Sequence, residues 1–196
     1  MQDNFDKWVD ALKPENLKGN LISCALYIAT FESFTDYIVE ELKFFFNDGF
    51  SDDKFTFSPD YQIKVLSRNK SAVYATLSWF KEMEAIDDND IDLFEVLKKF
   101  RNKLSHEMTS LVFDEGLHDF PHNFSKLLGL RVKIEKWWIL NIEIPTGDMS
   151  DGNQDIEEDD IITSSQLFYK MVMDIVAGDE QTSSFYYKEF LKYREE

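Results

Sequence analysis

Ile91-Asp92-Leu93-Phe94-Glu95-Val96-Leu97-Lys98-Lys99-Phe100-Arg101-Asn102-Lys103-Leu104-Ser105-His106-Glu107-Met108-Thr109-Ser110 is the stretch on which the fold turns. Leu93, Leu97, Phe100, Leu104 and Met108, with Leu111 just beyond, return at three- and four-residue steps. That is the period of a helix burying one face. Asp87-Asp88-Asn89-Asp90 precedes it with N-cap candidates and with negative charge that favours a helix start. The same periodicity continues outward. Upstream, Pro14-Glu15 suits a first turn. Leu21, Cys24, Ile28, Phe31, Tyr37 or Ile38, and Leu42 carry a helix to about Asn47, where Asn47-Asp48-Gly49 stops it. Asp52 to Tyr61 is rich in turn residues, with a short extended piece around Phe55-Thr56-Phe57, and a second helix runs from about Tyr61 or Ser67 to Ala85.

Downstream, Gly116 to Pro121 reads as a loop and Asn123 to about Asn141 as a helix. An acidic loop covers about 146–160, and helices follow at about 161–177 and 183–192. The expectation is an all-α fold: one helical domain over 1–196, a bundle with a core at about 17–138 and additional C-terminal helices at about 161–192. With only 7 Gly and 4 Pro in 196 residues, long helices are favoured over a many-turned β fold. A hydrophobic share of 43% is ordinary for a folded chain, so disorder is not expected.

The net charge of -17 disfavours nucleic acid and anionic membranes as generic partners. Its distribution matters more than its sum. Leu93 to Leu140 holds eight basic against six acidic side chains, whereas Asn141 to Asp160 holds eight acids and no base. The surplus negative charge thus lies outside the periodic stretch quoted first. A single cysteine, Cys24, excludes an internal disulfide and fits a reducing compartment. The acidic N-terminus lacks the apolar run of a secretory signal, and the apolar stretches fall short of a membrane span. A cytoplasmic location, away from membranes, is expected.

Arg101 stands out because it lies at the edge of the apolar stripe, between Leu97 and Leu104, where a permanently charged guanidinium needs partners. The plainest account is an ion pair with Glu32 or Asp36 of the preceding long helix. Its neighbours offer chemistry. Asn102 and His106 are four apart and share a helix face, so the amide can orient the imidazole. Arg101 and His106 point about 140° apart on a continuous helix. One chain therefore cannot easily aim both at one atom, whereas two antiparallel copies about a twofold axis can set them around a shared cleft.

Leu97-Lys98-Lys99-Phe100-Arg101-Asn102-Lys103-Leu104-Ser105-His106-Glu107 resembles the signature of the HEPN superfamily: an arginine, a polar residue, then a histidine after four to six intervening positions. The resemblance implies a helical bundle with the motif late in a long helix. It also implies a metal-independent endoribonuclease acting as a homodimer, often as a toxin of a toxin–antitoxin pair or in antiviral abortive infection. In that chemistry the ribose 2′-OH attacks the adjacent phosphate and leaves a cyclic phosphate and a free 5′-OH. Carried over by position, Arg101 is the phosphate clamp, His106 the acid/base and Asn102 the polar orienter, with Ser105 at most a helper.

The partners expected are RNA, a second copy of the chain and an antitoxin or other regulatory protein. DNA is not expected, nor any cofactor or metal. In one branch of the family a tyrosine two positions after the histidine is modified by a nucleotidyltransferase antitoxin. Met108 stands there, which argues against that partner. The alternative function is a non-catalytic HEPN-type dimerisation or interaction module.

Other constellations carry less. His118 and His122 are four apart but flank Pro121, with no Cys or third His near. Asp151-Gly152-Asn153 lacks the spacing of a calcium loop. There is no phosphate-binding glycine loop and no nucleophile elbow. Trp137-Trp138 and the tyrosines near the C-terminus read as core or interface.

Overall fold

The computed structural model describes residues 2–51, 54–147 and 156–195. A first helix, α1 (Gln2–Ala11), not among the expected helices, precedes α2 (Pro14–Phe45). Pro14 sits in the first turn of α2, where its missing N–H is no loss. The apolar side chains that α2 buries are Cys24, Tyr27, Phe31, Phe34, Ile38 and Leu42, again in steps of three and four. The expected period is therefore present and largely in the expected phase, with Cys24, Phe31, Ile38 and Leu42 buried; Leu21 is exposed, Ile28 is half-buried, and Tyr27 and Phe34 point inward as well. Cys24 is fully buried, and burial pushes its thiol up.

A hairpin follows. Strand β1 (Asn47–Ser51) pairs antiparallel with β2 (Lys54–Phe57), Gly49 opposite Thr56 and Phe50 opposite Phe55. The register slips between Asn47 and Gly49, where Gly49 adopts φ 151°, a region closed to most side chains. Apart from this hairpin the described secondary structure is helical, as expected. The helix foreseen from Tyr61 or Ser67 comes in pieces: a wide turn (Tyr61–Val65), a tight one (Leu66–Arg68), then α3 (Ala72–Glu82). The break is at Asn69–Ser71, where the Asn69 amide oxygen accepts the Ser71 N–H at 3.0 Å and offers the backbone an alternative to the helix.

The decisive stretch is α4 (Asp88–His106). Asp87 caps it reciprocally: its carboxylate accepts the Asp90 N–H at 3.0 Å, and the Asp90 carboxylate accepts the Asp87 N–H at 2.9 Å. The helix stops one residue past His106, at Glu107 (φ -121°), and resumes as α5 (Met108–Ser110) and a wide turn, Leu111–Glu115. Gly116, at φ 82°, ends that turn. Next comes α6 (Phe120–Trp138).

The chain divides into two compact units, 1–134 and 135–196. In the first, α2 packs on α4 through Phe31 and Phe94 (5.5 Å between ring centroids) and through Tyr27 and Phe100 (4.8 Å). Tyr27 also donates a buried hydrogen bond to the Leu97 carbonyl at 3.2 Å. Arg131 of α6 donates to Ser33 of α2 at 3.1 Å. The side chains that α4 buries are Phe94, Leu97 and Leu104, so Phe94 rather than Leu93 anchors its N-terminal half.

The second unit begins in the last residues of α6 and continues with a wide turn, Ile139–Glu143, α7 (Ile144–Thr146) and a tight turn, Glu158–Asp160. It ends with α8 (Ser164–Ala177) and α9 (Glu180–Glu195). Thr163 caps α8, and a buried Glu135 carboxylate accepts from Ser165. Tyr186 of α9 donates to Asp174 of α8 at 2.8 Å. Most of the expected acidic loop, including the Asp151-Gly152-Asn153 segment, lies outside the described residues. Among the described residues no helix is long and apolar enough to cross a membrane.

Candidate functional site

Arg101 leaves α4 toward α2. Its Nε donates to Glu32 Oε1 at 2.6 Å, and Nη2 forms an ion pair with the same oxygen. Of the two carboxylates that the helical spacing offers, Glu32 is the one engaged. Nη1 donates to the Asn102 side-chain oxygen at 3.1 Å. The guanidinium is thus fixed by a carboxylate across the helix interface and by the amide next to it in sequence. It is not sealed in: the Arg101 side chain is 29% exposed and Glu32 45% exposed.

The other two expected residues part company. Asn102 turns its oxygen to Arg101, so the amide orients the guanidinium. His106 is exposed in the last turn of α4, next to the break at Glu107. Arg101 and Asn102 therefore form one cluster, and His106 stands about 140° around the helix from Arg101. Ser105 donates to the Arg101 carbonyl at 3.0 Å, a bond internal to the helix.

Arg101 and Asn102 border an open pocket of about 220 Å³ whose walls include Glu32, Tyr74, Phe94 and Lys98. Tyr74 comes from α3. Its ring meets Phe94 edge-on, with centroids 5.8 Å apart, and its hydroxyl donates to Glu95. Lys98 Nζ donates to the Tyr74 hydroxyl at 2.7 Å and lies 4.8 Å from the ring centroid. Burial and then the Glu95 carboxylate push the Tyr74 phenol up, while the hydrogen bond to Tyr74 raises the Lys98 ammonium. The phenol thus stays neutral and the lysine charged.

Tyr74 and Lys98 are not among the residues expected at the site. For Lys98 a signal existed: it precedes Arg101 by three residues and so shares its face. Tyr74 is 24 residues from Lys98, and no local spacing marks it. His118 and His122 are both exposed, His118 before α6 and His122 in its first turn. Among the described residues no group of three or more His, Cys, Asp or Glu side chains could hold a metal ion.

The arrangement presents two cations, an oriented amide and an aromatic wall around a small open cavity, with a carboxylate seated on the guanidinium. A phosphate oxygen could take the place of that carboxylate, since guanidinium groups bind either with the same donor geometry. Comparison of the chain with family models, curated proteins and solved structures found no match.

Proposed function

We propose that this chain is a metal-independent endoribonuclease of the HEPN type, working as a homodimer in a toxin–antitoxin or antiviral defence setting. The observation that carries the reading is Arg101: a guanidinium oriented by Asn102, still open to solvent, at the edge of a cavity. In this reading Arg101 exchanges Glu32 for a phosphate of the RNA and stabilises charge on its oxygens. His106, exposed at the end of the same helix, takes the 2′-OH proton or returns one to the leaving 5′ oxygen. The attacking 2′ oxygen forms the new bond to phosphorus as the bond to the 5′ oxygen breaks. Because His106 and Arg101 diverge on α4, the histidine acting on a phosphate held by one copy comes from the second copy.

The separation of His106 from Arg101 within one chain, and the Glu32 pair, favour a second reading: a non-catalytic HEPN-type module that uses the same helix for contacts. Cleavage of labelled total RNA in EDTA by the wild type and by His106→Ala, both checked by circular dichroism, decides between them. Cutting by the wild type alone, with cyclic phosphate ends, is the expected result. Intact RNA in both lanes, or equal cutting in both, rejects the nuclease.

A further inference from the structure

We propose that the apolar face of the α8–α9 hairpin is a contact between two copies of this chain, with α8 pairing antiparallel to its counterpart about a twofold axis near Met171 and Val172. The inference deepens the homodimer of the ribonuclease reading by naming a surface that holds it, and takes from that reading only the second copy. Leu167, Phe168, Met171 and Ile175 return along one side of α8 at three- and four-residue steps, the pattern of a helix that buries that side. Yet Leu167, Phe168 and Ile175, with Tyr187 and Phe190 of α9, are between 45% and 71% exposed. The two helices, joined through Gly178 and Asp179, face each other at the hydrogen bond from Tyr186 to Asp174. From that contact both stripes turn in the same sense by no more than about 120°. On antiparallel helices that sense leads to one side of the hairpin, so the stripes form one patch.

Charge selects the occupant. The chain carries -17, but α8 holds only Lys170 and Asp174, and α9 balances Lys188, Lys192 and Arg194 against Glu180, Glu189 and Glu195. Both helices are neutral. Copies that repel each other elsewhere can meet here without that cost, and a strongly basic or acidic partner finds no field to follow. The stripe is also self-complementary. Antiparallel pairing sets the bulky Phe168 of each copy against Ile175 of the other, and Lys170 and Asp174, which straddle the axis, approach their opposites. The area suffices. At about 150–250 Å² for a large side chain, the five exposed ones leave roughly 550 Å² of apolar surface, the upper end of what a monomer shows. In an interface about 65% apolar that corresponds to roughly 850 Å² per copy, against the about 800 Å² of a stable complex.

The test is sedimentation velocity of the full chain over a range of concentrations, with folding followed by circular dichroism. The wild type should sediment as a dimer. Phe168→Glu and Ile175→Lys, each at an exposed position, should each raise the dimer dissociation constant about thirtyfold, the size of an interface hot spot. The two substitutions combined in one chain should recover most of the loss, because the acid of each copy then meets the base of the other.

A monomeric wild type would overturn the proposal and leave the face to a different occupant. A dimer that neither single variant weakens would overturn it too, as would a double variant no tighter than the single ones. Its failure is separable from that of the nuclease. A chain that dimerises as described yet leaves RNA intact keeps the contact and loses the nuclease. A chain that cuts RNA and shows none of these shifts does the reverse.

Discussion

Replacing Glu32 by Gln should move stability and RNA affinity in opposite directions. The Arg101–Glu32 pair is 29% and 45% exposed, intermediate between two regimes. Fully exposed pairs contribute about 0.2–1 kcal/mol, whereas breaking a buried pair costs about 3–5 kcal/mol. Gln keeps an oxygen that accepts from Arg101 and loses only the charge, so the expected cost is about 1 kcal/mol, set nearer the exposed regime by solvent screening. For a chain of this size that lowers Tm by about 2–4 °C.

The same charge opposes an incoming phosphate. A carboxylate roughly 4 Å from a phosphate repels it by about 1 kcal/mol in water and by more where the dielectric falls. Removing it should therefore tighten binding of a labelled single-stranded RNA about fivefold. Thermal melting followed by circular dichroism and fluorescence anisotropy at low salt read the two quantities on one sample. A lower Tm with unchanged or weaker RNA binding would refute the reasoning and make Arg101 a structural cation whose only task is to hold α2 to α4.

Two further outcomes test the scaffold around the site. Asp87→Ala removes half of the reciprocal cap of α4 and should cost about 1 kcal/mol in urea unfolding, without change in RNA binding, because the cap lies at the far end of the helix from Arg101. Tyr27 is fully buried and burial pushes its phenol well above the ordinary value, so the folded state disfavours the phenolate. Stability from this group is intact below the unfolded pKa of about 10 and falls as pH rises above it. Tyr27→Phe should therefore flatten the alkaline limb of the stability profile, while costing about 0.5–1.5 kcal/mol at neutral pH through the bond to Leu97. An alkaline limb identical to the wild type's would assign it to other tyrosines.

Much of the architecture is legible in local sequence because helices are local. Pro14 opens α2, Asp87 caps α4 and apolar residues at three- and four-residue steps mark the faces these helices bury. The partner of Arg101 is legible for the same reason: a cation at the edge of a buried stripe requires an anion on the facing helix, and Glu32 and Asp36 are the candidates there. Periodicity fixes spacing more firmly than phase, because neighbouring apolar residues compete for the inward position. So Phe94 is buried where Leu93 was expected and Tyr27 where Ile28 was, while Cys24, Phe31, Ile38 and Leu42 are buried as expected. The helix α1 is not among the expected helices, although Phe5, Trp8, Val9 and Leu12 return at three- and four-residue steps.

What only the tertiary structure decided is what Asn102 and His106 do, and what stands beside Arg101. Two side chains four apart on a helix can meet, but the stronger acceptor demand of a charged guanidinium drew the Asn102 oxygen to Arg101 instead. His106 was left at the exposed end of α4 and is not among the residues that line the pocket. Tyr74 and Lys98 entered the site through packing of α3 against α4, a contact between residues 24 apart that no local period encodes. The sequence alone thus determined most of the long helices and the charge that had to be answered at Arg101. The packing of α2, α3 and α4 determined that the answer is Glu32 across a small aromatic-walled cavity, because burial and pairing are settled between elements and not along them.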